Sequence, residues 1–205
     1  MKERVVNRIM NYIKKRKKLT IDEEEVIVYG LESIYILVTK LTIICALALL
    51  LGIFKEFIIF LLLFNGIRTF AFGLHATKSY ICLILSSAAF LGFPYLSQII
   101  NMPFVIKLIL GIICIILIFK NSPADTEKRP IVNPKRRRNF KIISVVISIT
   151  YVILSFFVNN FISNSLLFSL LLEVIFISPL TYKIFKLPYN NYINYLEGDE
   201  ENVFC

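Results

Sequence analysis

A chain of 205 residues that is 57% hydrophobic and only 18% charged carries too little polar surface for a soluble domain of its size. Its net charge of +9 is clustered: eight of the 23 Lys and Arg fall in residues 1–20 and eight more between Lys120 and Lys141. Basic blocks abutting long apolar runs mark the cytoplasmic side of a membrane protein and leave no room for a groove-reading domain, so nucleic-acid binding is set aside.

In chain order, Val5, Val6, Ile9, Met10 and Ile13 recur at helical spacing, with Arg4, Arg8, Lys14 and Lys15 largely off that face. This pattern predicts a basic amphipathic helix within residues 1–20, lying on an anionic leaflet. Thr20-Ile-Asp-Glu23 reads as a capping box that opens a second helix through Tyr29-Gly-Leu-Glu32. Six apolar segments follow at about 33–54, 57–74, 80–98, 103–119, 142–160 and 165–182. The expected fold is an all-α, polytopic integral membrane protein of about six hydrophobic helices preceded by the interfacial helix. Residues 1–188 form one membrane domain, with a helical core from residue 21 and a basic cytoplasmic loop at 120–141. Residues 189–205 form a polar, acidic tail. Positive charge sits between segments two and three and between four and five, which places both termini in the cytoplasm of a multi-pass cell-membrane protein.

Cys45, Cys82, Cys114 and Cys205 show no paired spacing, so neither a disulfide framework nor a metal site is expected, and no cofactor. His75 is the one histidine, seven residues ahead of Cys82. In a straight helix, seven residues separate two side chains by about 10 Å along the axis, too far for proton transfer. Chemistry between them requires the chain to break, and Gly73 with the polar run Thr77-Lys-Ser79 provides for a break. Cys82 would then lie in the first turn of the next helix, where the dipole favours a thiolate, with Lys78 and Arg68 adding positive potential. Read alone, the pair fits a nucleophile with its base, or a structural histidine beside a buried thiol.

The stretch Arg68, Gly73, His75 and Cys82 resembles the signature of the accessory gene regulator B (AgrB) family: Arg, three residues, two glycines, one residue, His, six residues, Cys. Phe72 replaces the first glycine. Tyr29-Gly-Leu-Glu32 resembles that family's N-terminal element, and Asn121 to Pro130 with Arg136 to Lys141 its central loop. The resemblance implies a membrane cysteine endopeptidase of a Gram-positive bacterium that processes an AgrD-type quorum-sensing propeptide. It makes Cys82 the nucleophile and His75 the base. The acidic tail would be released, and the signal segment held as a thioester until it closes as a thiolactone or lactone. The family is also thought to act as a homodimer. Lys128, Arg129, Arg136, Arg137 and Arg138, with Arg68, are candidates to bind the acidic tail, or else to bind anionic lipid. Asp125 and Glu32 are candidates to orient His75. Lys40 and Glu173, both deep in apolar segments, are expected to pair. A small peptide transporter or exporter without peptidase activity is the rival reading, and a scaffold that recruits a partner a weaker third.

Overall fold

A computed structural model describes residues 2–17, 19–74, 79–126 and 130–193, leaving aside the side chains of Asp22 and of residues 79–82. Every regular element among these residues is an α-helix: α1 (Lys2–Lys14), α2 (Ile21–Leu50), α3 (Phe54–Ala71), α4 (Ser79–Ile99), α5 (Phe104–Asn121), α6 (Pro134–Leu154), α7 (Asn160–Ile177) and α8 (Pro179–Ile184). They form two compact units, residues 1–52 and 53–205.

In the first unit, the capping box forms as the sequence requires. The Glu23 amide donates to Thr20 Oγ1 at 3.3 Å, and the Thr20 amide donates to Glu23 Oε2 at 3.0 Å. α1 buries Val6 and Met10 and packs on α2. Lys2–Glu32, Lys14–Glu24 and Lys17–Glu23 ion pairs run between the two segments at 2.9, 2.6 and 3.1 Å. Such half-exposed pairs contribute little each, so the apolar contacts of Val6 and Met10 carry most of the attachment.

The second unit is built around α7, which packs against α3, α4, α5 and α6. Its buried residues include Leu166, Leu167, Leu170 and Ile177, and also Ser163, Asn164, Ser165, Ser169 and Glu173. On one side, Phe60 and Phe64 of α3 meet Phe90 edge-on at 6.1 and 5.3 Å. Phe93 of α4 contacts Phe168 of α7 at 5.4 Å, completing an aromatic wedge. Small residues let other helices approach closely. A Cβ on Gly66 would stand 2.5 Å from the Tyr151 hydroxyl, and one on Gly111 2.7 Å from Val152.

Against six expected spans, three helical stretches among the described residues are long and apolar enough to cross a membrane: Glu23–Leu50, α5 and α7; Leu83–Ile99 is a shorter apolar helix. α3 is diluted by Lys55, Glu56 and Arg68. α6 begins eight residues earlier than its apolar segment, because Asn133 caps the amides of Lys135 and Arg136 and Pro134 occupies the first position. Its first two turns are therefore basic. α7 likewise starts five residues early, where the Asn159 side chain accepts from the Ile162 amide.

Candidate active site

α3 and α4 are separate helices, and the described part of the break between them lies immediately ahead of His75. α3 ends at Ala71, Phe72 to Leu74 leave the helix, and α4 begins at Ser79 with Cys82 as its fourth residue. His75 and Lys78 lie outside the described residues, as do Lys128, Arg129 and the side chain of Cys82.

What forces the break is visible one residue at a time. Phe72 has φ 60° and ψ −133°, and Gly73 has φ +109°. Both are conformations that glycine adopts without strain and a side chain does not. Phe72 is thus a non-glycine residue held where the resembled signature has its first glycine. It is retained through packing, its ring 5.1 Å from that of Phe140 on α6. The backbone of the turn is tied to two other segments. The Gly73 amide donates to Ala124 O at 2.8 Å, the Ala124 amide donates to Ala71 O at 3.0 Å, and the Leu74 amide donates to Phe176 O at 3.1 Å. Phe72 and Ala124 form a parallel β-bridge.

Arg68 completes the turn. Its guanidinium donates to the carbonyl of Phe72, to Gly73 O at 3.1 Å and to Leu74 O at 2.7 Å. It faces both carboxylate oxygens of Glu173 at 3.5 Å and lies 5.0 Å above the Phe176 ring. A planar fork with five donors suits this convergence of acceptors, which a lysine would not satisfy. Arg68 is therefore engaged within the chain itself, directly ahead of His75. The expected partner of Glu173 was Lys40; among the described residues, its ion pair is with Arg68.

Asp125, a candidate to orient His75, is buried, and its carboxylate is held by partners among the described residues. Its Oδ1 accepts from the Asn191 amide at 3.0 Å, and its Oδ2 from the amides of Tyr192 at 2.9 Å and Ile131 at 3.5 Å. Arg137 approaches Oδ2 at 3.7 Å and stacks on Tyr192 at 3.6 Å. The Tyr182 hydroxyl donates to Asp125 O at 2.9 Å. Asp125 is thus a buckle holding the loop after α5 to residues 191 and 192. Glu32, the other candidate, pairs with Lys2 in the first unit.

The three arginines of the basic block diverge. Arg137 turns inward to this buckle, while Arg136 and Arg138 are exposed. Arg136 stacks on Phe140 at 5.1 Å, the ring that also contacts Phe72. The basic start of α6 and the turn before His75 therefore adjoin through one phenylalanine. Among the described residues no group of three or more acidic, His or Cys side chains could hold a metal.

The family model of accessory gene regulator B matches residues 6–177. The chain belongs to the AgrB family. An AgrB-like protein of Clostridium acetobutylicum is 33% identical over 167 residues, covering 81% of this chain and 80% of the relative. One from Listeria innocua is 34% identical over 172 residues, 82% of each. One from Lactiplantibacillus plantarum is 31% identical over 175 residues, 85% of this chain and 88% of the relative. No solved structure matches. The AgrB match takes in the Arg68-to-Cys82 stretch, the loop after α5 and all of α7.

Two features escaped sequence reasoning. The role of Glu173 was concealed because Arg68 read as a substrate contact. The buckle at Asp125 was concealed because its donors are backbone amides up to 67 residues away, for which side-chain patterns carry no signal.

Proposed function

We propose that this AgrB-family chain is a membrane cysteine endopeptidase acting on an AgrD-type propeptide. The Cys82 thiolate attacks the carbonyl at the tail junction. The C–N bond breaks, the departing amine takes a proton from the His75 imidazolium, and the signal segment remains as a thioester on Cys82. An internal cysteine or serine of the peptide then gives its proton to the now neutral His75 and displaces Cys82, which leaves as thiolate, and the ring closes as a thiolactone or lactone. The observation that supports this reading is the interrupted helix: Phe72 to Leu74 turn out of α3, and a new helix, α4, opens at Ser79, three residues before Cys82.

In this reading Arg136 and Arg138, with Lys128 and Arg129, hold the acidic tail beside the turn through charge-assisted contacts. Arg68 and Arg137, spent on carbonyls and on Asp125, act as positioning residues. The basic face of α1 rests on the anionic inner leaflet, both termini are cytoplasmic, and the chain works as a homodimer of six crossings.

Co-expression with a propeptide tests the proposal. Tail release that disappears in both Cys82→Ser and His75→Ala is expected. A peptide exporter without peptidase activity predicts an intact propeptide and little response to Cys82→Ser, and that result would overturn the endopeptidase reading.

A further inference from the structure

Glu173 has no exposed side-chain surface and is flanked on α7 by Leu172 and Val174. A carboxylate in such surroundings is retained against a large desolvation cost, and its counter-ion is Arg68, itself only 14% exposed. The two neutralise each other beside the one turn that leads into His75. Two further α7 residues at this place meet the same turn: Phe176 lends its ring to Arg68 and its carbonyl to the Leu74 amide, and Ile177 would be 3.1 Å from a Cβ on Gly73.

We propose that Glu173 is a positioning residue for propeptide cleavage, acting through Arg68 on the Phe72–Leu74 turn and hence on the delivery of His75 to Cys82. This rests on the endopeptidase reading. Without the carboxylate, Arg68 is a lone cation among apolar side chains and is drawn toward water. The three carbonyls it gathers then lose their shared donor. The ties from Gly73 to Ala124 and from Leu74 to Phe176 survive, so the turn loosens without unfolding. The consequence falls on the alignment of base and thiol, not on the assembly of the helices.

The test compares full-length wild type, Glu173→Gln, Glu173→Asp and His75→Ala in lipid nanodiscs. Tail release is measured beside the pH profile of Cys82 alkylation by iodoacetamide without substrate, read by peptide mass spectrometry. Glu173→Gln is expected to lower tail release by about 10- to 100-fold. It should also displace the alkylation profile toward that of His75→Ala, with Glu173→Asp recovering part of both. A wild-type alkylation profile in Glu173→Gln would overturn the inference, whether or not release falls. Should Glu173→Gln fail to fold, Arg68→Lys keeps the charge pair but not the fork; it should displace the profile in the same direction, and a wild-type profile there is equally fatal. Tail release persisting in Cys82→Ser would instead overturn the endopeptidase reading, and this inference with it.

Discussion

α5 and α7 are both 18-residue apolar helices long enough to cross a membrane, yet 17% of one and 67% of the other is buried within the protein. The difference lies in where their polar residues fall. In α5 the charged groups, Lys107 and Lys120, are confined to the ends, and Ile109, Ile112, Ile113 and Ile116 face outward. In α7 the apolar run is interrupted by Asn164, Ser165, Ser169 and Glu173, all buried. Where the surroundings are lipid, apolar side chains gain nothing by turning inward, and polar groups decide which helix becomes the centre.

The most forceful way to break this contrast is at the turn that α7 supports. Gly73→Ala would place a Cβ 2.5 Å from Arg68 Nη1 and 2.9 Å from Phe176 O, on a backbone with φ +109°. Tail release is expected to fall by about 100-fold. An alanine variant with wild-type release would mean that the turn does not govern the site.

A smaller effect is expected in the middle of α7. Asn164 Nδ2 donates to Ser97 O at 3.1 Å and to Ile100 O at 2.7 Å, joining α7 to the end of α4. Asn164→Leu should lower stability by about 1–2 kcal/mol, measured by equilibrium unfolding in mixed micelles. A stabilised leucine variant would show that α7 is centred by packing alone.

The smallest effect belongs to α5. Ile113 is 48% exposed, and Ile113→Ala should change the same unfolding free energy by roughly 0.5 kcal/mol or less. A loss as large as that of Asn164→Leu would mean that another surface covers this face.

Much of this was legible beforehand, and the reasons are specific. The Thr20–Glu23 box is a local pattern with a local geometry, and it forms. The turn at residues 72–74 had a local signal in Gly73, legible without tertiary knowledge. The Arg68–Glu173 pair did not follow, because hydropathy reports depth only relative to each segment. Arg68 lies three residues before the end of α3, and Glu173 four before the end of α7. If both helices run toward the cytoplasm the two charges share a depth, whereas Lys40 is the twentieth residue of a 30-residue helix. The early starts of α6 and α7 were missed for a related reason. Caps and polar first turns extend a helix beyond its apolar stretch, and a search for apolar runs discards them.

The buckle at Asp125 sets a rule for shortening or tagging this chain. Asn191 and Tyr192 belong to what reads as an expendable acidic tail, yet their amides fill a buried carboxylate beside Arg137. A cut before Asn191 would strand that anion and free the strap between α5 and α6, whereas a fusion joined after Ile193 leaves the fastening whole.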